Sequence, residues 1–348
     1  MGQTRLIGPV RLRRLVERFG SAEAVWRAPE SALRAVLDGA ALASLLRTRA
    51  ALDLEREMAR IHQVGVAVLT LVDPRYPRLL REIPAPPPVL YLRGELAPED
   101  ETAVGIVGTR RATSYGREVA ARLGGELAAA GVTVISGMAR GIDAAAHHAA
   151  LEAGGRTIAV LGCGPDVIYP PEHRALAARI IDRGALLSEY PPGRKPDATN
   201  FPARNRIISG LSLGIAIVEA PERSGALITA DFAADHGREV FVVPGSVLSA
   251  NSEGGLRLLR DGARLIRSAA DVLEDLQLGT MGAIAVQQTL PLGEEERRVL
   301  AALSREPQHI DEIAGVADLP IAEVSARLTM LELQGLVRNA GALHYARA

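Results

Sequence analysis

Lysine is almost missing from this chain: Lys195 stands against 39 arginines among the 40 basic residues. A Walker-type phosphate loop, or a Schiff-base lysine anywhere but at that position, is therefore excluded. Cysteine is as scarce, with Cys163 alone, so neither an internal disulfide nor a cysteine-rich zinc site is available, and a reducing compartment fits. Aromatic residues make up 3%, which leaves few rings for base stacking and gives weight to any that lies near a basic cluster. No apolar run reaches the roughly 18 residues of a membrane span. The first 20 residues carry five arginines and no apolar stretch, so no secretory signal is expected and a cytoplasmic location is. Basic excess is missing too. The net charge is −1 and the pI about 6.7, so any anion site must be local.

What the sequence does have is apolar bulk. Its 348 residues are 48% hydrophobic and 23% charged, enough for a sizeable core. At roughly 150 residues per domain the length predicts two to three domains. Residues 1–72 read as a helical domain: Val10 to Phe19, Ala22 to Trp26, Ser31 to Leu37 and an amphipathic pair from Leu42 to Arg60. Eleven basic residues against seven acidic ones make this part +4, and Gly8-Pro9-Val10 with Arg11, Arg13 and Arg14 resembles a helix-hairpin-helix (SAM-like) segment. The run Ile83-Pro84-Ala85-Pro86-Pro87-Pro88 reads as a stiff connector.

Residues 73–278 alternate short apolar runs with helical patterns, which predicts buried parallel strands in a doubly wound, Rossmann-like α/β sheet. The strands fall at 104–107, 133–136, 157–161, 185–188, 213–218, 239–243 and 264–266. Residues 279–293 carry no charge and read as a linker. Residues 294–348 pattern as three helices and a β-hairpin, a winged helix, with six basic residues against nine acidic. A winged helix that grips duplex DNA is normally basic, so protein contact is expected of this one.

Ligands of open α/β sheets sit beyond the carboxyl ends of the strands, and the informative segments fall there. The first is Gly108-Thr109-Arg110-Arg111-Ala112-Thr113-Ser114-Tyr115-Gly116, in which Arg110 places a permanent forked cation where a phosphate would sit. It lacks the dinucleotide glycine spacing. The second is Ser136-Gly137-Met138-Ala139-Arg140-Gly141-Ile142-Asp143, whose glycines make an amide-lined cup suited to phosphate. Asp143 and His147, at i,i+4, are read as a helix cap and a loop buttress, since no nucleophile accompanies them. The third, Arg194 to Arg206, sets Arg194, Lys195, Arg204 and Arg206 around Phe201 with Asn205 among them, and so combines a phosphate track with a stacking platform. The last is the Ser224-Gly225 turn into a helix. Ser224 has no nucleophile-elbow context, so serine hydrolysis is not expected. Gly162-Cys163-Gly164 begins like a glycine fingerprint, but Val167 takes the place of its final glycine.

Together GIVGTRRATSYG, SGMARGIDAAAH, SEYPPGRKPDATNFPARNRIISGLS, VEAPERSGALITA and VFVVPG resemble the DprA (Smf) family of DNA-processing proteins over about residues 70 to 267, and more loosely over both ends. The resemblance implies a dimeric Rossmann-fold protein that binds single-stranded DNA and loads RecA onto incoming strands during natural transformation, and the missing lysine, metal cluster and nucleophile–base pair make a non-enzymatic protein without a cofactor the expectation. By position, Arg110 matches the family's Gly-Ser/Thr-Arg arginine, Phe201 its stacking aromatic and Ser224-Gly225 its phosphate turn. Many relatives carry lysines where this chain has Pro171 and Ala198, so those contacts do not transfer; Arg174, Arg194 and Lys195 are candidates to replace them. The rival reading is a nucleotide-processing enzyme of the phosphoribohydrolase type, which shares the fold. Its Pro-Gly-Gly-x-Gly-Thr-x-x-Glu run is absent, with Phe232 where the glutamate would fall and Asp231 only near it.

Overall fold

A computed structural model of the chain describes residues 4, 6–278, 293–304, 307–333, 336–341 and 343–347. The chain divides into two compact units, Met1–Ala283 and Ile284–Ala348. The first opens with five helices, α1 (Pro9–Phe19), α2 (Ala22–Arg27), α3 (Glu30–Arg34), α4 (Gly39–Ala51) and α5 (Leu54–Gln63). Their starts are chemically marked: the Ser21, Asp38 and Asp53 side chains accept from Ala24, Ala41 and Arg56 amides, filling donors the helices cannot satisfy themselves. Leu15, Val25, Leu33 and Leu45 form the centre of their small core.

Next come β1 (Ala67–Thr70), α6 (Arg78–Arg81) and β2 (Val89–Gly94), followed by β3 (Ala103–Val107), α7 (Ser114–Ala129), β4 (Thr133–Ser136), α8 (Ile142–Glu152) and β5 (Thr157–Leu161). The unit continues with α9 (Arg174–Arg183), β6 (Ala185–Ser188), α10 (Asn200–Leu211), β7 (Gly214–Ile217), α11 (Gly225–Asp235), β8 (Glu239–Val242), α12 (Glu253–Arg260), β9 (Arg264–Leu265) and α13 (Ala269–Asp275). Nine strands form one sheet in the order β1-β2-β6-β5-β4-β3-β7-β8-β9. The chain winds outward from β3 through β4 and β5 to β6, then crosses back to β7 on the other side of β3. The β3/β7 boundary, with Val104 paired to Gly214 in parallel, is thus the topological switch point. Helices cover both faces and two apolar layers result, one around Ile135, Leu187 and Ile207, the other around Ile106, Leu127 and Ile142.

Two expectations are corrected. The boundary at residue 72 is not a domain boundary, because β1 pairs antiparallel with β2 and β2 antiparallel with β6, so residues 67–94 extend the sheet and make it mixed. The proline run, expected as a stiff connector between two regions, is packed into the body instead. Pro86 and Pro87 are buried and the Tyr76 hydroxyl donates to the Pro87 carbonyl at 2.8 Å, which pins the run to the body. The strand positions predicted in 104–266 hold to within two residues at either end.

The second unit contains α14 (Glu294–Ala302), β10 (Gln308–His309), α15 (Ile310–Ala317), α16 (Ile321–Leu333), β11 (Val337–Gly341) and β12 (His344–Arg347). Its sheet runs β10-β12-β11 over a core of Val299, Ile313, Val324 and Leu328, the expected winged helix with one extra short strand, β10. All of the expected linker except Gly293 lies outside the described residues. Among the described residues no helix is long and apolar enough to cross a membrane.

Candidate nucleic-acid interface

At the switch point the chain opens into a cleft of about 700 Å³. The loop from β3 to α7 supplies Gly108, Thr109, Arg110 and Arg111, the loop from β7 to α11 supplies Arg223, Ser224 and Gly225, and the approach to α10 with its first turns supplies Ala198, Phe201, Arg204 and Asn205. Gly108 is required by close approach, since a Cβ there would sit 2.5 Å from Ile142 and 2.9 Å from the Glu219 carbonyl. The Thr109 amide donates to that same carbonyl at 2.7 Å, locking the two loops together beside each other.

Phe201 lies at the cleft wall, half-buried, with its ring on Gly162, where a Cβ would come within 2.9 Å. The Arg110 guanidinium stands 5.3 Å from the ring centroid and the Tyr169 ring 5.7 Å away. A cation over an aromatic face is held by the ring's quadrupole, so Arg110 is steered without losing its charge. Among the described residues no carboxylate lies within salt-bridge distance of Arg110, Arg111 or Arg223, all exposed.

Arg204 forms the floor. It is 5% exposed and donates to the Val160 carbonyl at the end of β5, while its Nε has no partner among the described residues. Burial lowers its pKa, with Asp143 opposing and Arg110 reinforcing that shift. A buried cation is weakly screened, so its field is felt at the cleft mouth. Asn205 donates to the Gly225 carbonyl at 3.1 Å and fixes the start of α11 against α10. Ser224 caps α11 by accepting from the Ala226 amide at 3.2 Å, and a Cβ on Gly225 would meet nothing within 4 Å. This helix start is open to an anion.

The loop leading into α8 and the start of α7 are filled from within. Met138, at φ +55° and fully buried, turns the Gly137 and Ala139 amides onto one carboxylate oxygen of Asp143, each at 3.2 Å. Such paired amides form an anion-binding nest, and here the anion is the protein's own. Burial raises the Asp143 pKa, with Arg204 and the two amides opposing. Asp143 therefore ties the preceding loop rather than capping α8, whose N-cap is Gly141. His147, expected to buttress that loop, instead bonds to the start of β5: its Nδ1 is 2.6 Å from the Thr157 hydroxyl, and burial pushes its pKa down to about 3. At α7, Glu219 accepts from the Thr113 amide at 2.9 Å and its hydroxyl at 2.6 Å.

Five sequence-predicted residues do not line the cleft: Gly137, whose amide Asp143 already holds, and Ser136, Arg206, Arg140 and Lys195. The Ser136 hydroxyl is buried and donates to the Ile106 carbonyl at 2.6 Å. Arg206 turns the other way on α10 and pairs with both Glu189 oxygens at 2.8 and 2.9 Å, so it does not join Arg110 and Arg204 in one pocket. Arg140 is tied to Glu172 at 2.5 Å beside Tyr169. Lys195 is exposed on the lip, next to Pro196, which lines the cleft. Ala198, one of the two lost lysine positions, lines the cleft itself, whereas Pro171 opens an exposed turn before α9. Tyr169 lies outside the motifs quoted from the sequence, whereas Arg111 and Arg223 lie inside them and were not singled out as site residues.

The fold and this site define a class: a doubly wound α/β protein with an arginine-lined, aromatic-flanked cleft at its switch point, joined in sequence to a winged helix. The family model for DNA recombination-mediator protein A matches residues 67–277, and that for the DprA winged helix domain matches 284–341. The chain belongs to the DNA recombination-mediator protein A (DprA) family of DNA-processing proteins. It is 40% identical to Protein Smf of Synechocystis over 99% of this chain and 96% of that one, and 42% identical to the DNA processing protein DprA of Bacillus subtilis over 64% and 75%. Among solved structures it resembles DprA of Streptococcus pneumoniae, with a TM-score of 0.71 at 33% identity over 79% of this chain and 95% of that one. It also resembles DprA of Helicobacter pylori, described for its single-stranded DNA binding mode, with a TM-score of 0.55 at 30% identity over 61% and 96%.

Proposed function

We propose that the cleft binds single-stranded DNA without sequence preference, and that the protein is a cytoplasmic recombination mediator which, as a homodimer, protects incoming strands and loads RecA onto them during natural transformation. The observation that carries this reading is the Arg110–Phe201 pair, a free guanidinium above an accessible ring, set against a buried Arg204 floor. Phosphates follow Arg110, Arg111 and Arg223 while a base stacks on Phe201, and the open start of α11 takes a further phosphate. Stacking accepts any base, because every base has a π-face.

No catalytic residue is assigned. Asp143 is the carboxylate of the cleft wall, and it is buried and bound to two amides. Asp231, the nearest substitute for the phosphoribohydrolase glutamate, is exposed on α11 and away from the cleft lining. The test is oligothymidine binding by fluorescence anisotropy beside nucleotide turnover, followed by RecA-driven strand exchange with and without the protein. Tight binding, no turnover and faster exchange are expected. Turnover abolished by changing Asp143, His147 or Ser224 would overturn the reading in favour of an enzyme.

A further inference from the structure

The cationic lip of the cleft, residues 191–196, is not self-supporting. It joins β6 to α10 and presents Arg194 and Lys195, both exposed, just before Pro196 and Ala198, which line the cleft. Three anchors hold it. The Gly164 amide donates to the Arg194 carbonyl at 2.9 Å, and the Gly193 amide donates to both Asp166 oxygens at 2.8 and 2.9 Å. The third anchor comes from the N-terminal helices: Arg60 of α5 donates to the Pro192 carbonyl across 132 residues of sequence. Gly193 sits at φ +79°, and a Cβ there would come 3.2 Å from Arg60 Nη1, so backbone and guanidinium are fitted to each other. Glu57, one turn earlier on α5, pairs with Arg60 at 3.2 Å and aims it. The helix itself is seated by Ile61, which packs with Val66 and Tyr91 against the β1–β2 edge.

We propose that Arg60 is a positioning residue for single-stranded DNA: through it the N-terminal helices clamp the lip so that Arg194 and Lys195 are ordered before a strand arrives. This rests on the reading of the cleft as a single-strand site. A lip ordered in advance saves the conformational entropy that binding would otherwise cost. The helices thereby contribute to affinity without needing to touch the strand.

The test is a double-mutant cycle on the full chain, with oligothymidine as probe and melting temperature measured alongside. Arg60→Ala should weaken binding about 3- to 10-fold, the range of one well-placed hydrogen bond. Asp166→Ala, which frees the same lip from its other side, should act in the same direction. Arg60→Lys should recover part of the loss, since an ammonium can still donate to the Pro192 carbonyl. Amide exchange at Gly193 and Arg194 should quicken in Arg60→Ala with the melting temperature little changed. In an Arg194→Ala, Lys195→Ala background, Arg60→Ala should add almost nothing. A full additive loss in that background, or unchanged exchange at the lip, overturns the clamp while leaving the cleft assignment standing. Failure of the wild type to bind oligothymidine overturns both.

Discussion

The cleft and the winged helix solve opposite problems with the same residue types. In the cleft, the carboxylates are turned inward: Asp143 fills the nest before α8 and Glu219 holds the start of α7, which leaves Arg110, Arg111 and Arg223 facing solvent without a carboxylate partner among the described residues. In the winged helix the pairing runs the other way. Arg327 of α16 is tied to Glu295 at 2.5 Å, and the exposed positions of that helix include Ala322, Glu323, Ala326 and Met330. Its arginines Arg338 and Arg347 lie on the wing strands. Net charge therefore says little; what counts is which carboxylates are consumed by backbone amides and which remain to neutralise arginines.

The largest effect should come from acid, and it should separate the two units. His147 is held neutral by burial, with its pKa pushed from 6.5 to about 3. The unfolded chain takes up a proton there below about pH 6.5 and the folded one does not, so the stability of the cleft unit should fall with pH between about 6.5 and 3, reaching a loss of about 3 kcal/mol near pH 4.5. Asp143, whose pKa is raised, works in the opposite sense and should moderate that slope. Thermal melts from pH 7 to 4 of wild type and His147→Gln check this, with a shallower slope expected in the variant; equal slopes would break the assignment.

Next is Phe201→Ala. Stacking is worth about 1 to 3 kcal/mol per base, so affinity for oligothymidine should drop roughly 5- to 150-fold with the salt dependence unchanged. Phe201→Tyr should be nearly neutral. Because the ring is half-buried, the melting temperature should move far less than for a core phenylalanine, whose truncation costs about 3 to 5 kcal/mol. A large fall in melting temperature with normal affinity would make Phe201 plain core.

Arg110→Ala should weaken binding about tenfold and flatten the slope of log K against log salt by about 0.7, one single-strand phosphate contact. Arg110→Lys should recover only part, since it lacks the planar fork. Arg206→Ala is the control within the same helix: with its Glu189 pairing removed, stability should fall and the salt slope should not. The smallest effect should follow removal of the winged helix. A chain ending at residue 278 should keep its oligothymidine affinity within about twofold even at low salt, where charges act over about 30 Å. A larger loss would mean that the winged helix grips the strand after all.

The sequence revealed much of this directly. The alternation of apolar runs placed the parallel strands from 104 to 242, and strand-to-helix loops rich in glycine and arginine marked the face on which the cleft opens. Arg110, Phe201 and the Ser224-Gly225 turn were legible because each sits in a short motif whose neighbours prescribe its geometry. β1 was not, since four residues, Ala67–Thr70, carry too short a pattern to tell a strand from a helix end. Tyr169 was hidden because its nearness to Phe201 depends on the loop after β5 meeting the first turn of α10, 32 residues further on in the chain.

What the sequence by itself determined is local: periodicity decides helix or strand, glycine and serine decide where a helix can start, and arginine decides that a charge persists. Only the tertiary structure decided how those charges are used. Arg204 and Arg206 are two residues apart on one helix, so they point to different sides; one reaches the cleft floor and the other meets Glu189. The Ser136-Gly137 loop and the Ser224-Gly225 turn read alike as phosphate cups, yet Asp143 occupies the first, whereas the second is capped only by its own Ser224 hydroxyl and keeps open space beside Gly225. A backbone amide is taken by whichever anion the fold brings within hydrogen-bond reach, and that distance is set by packing between segments far apart in the chain.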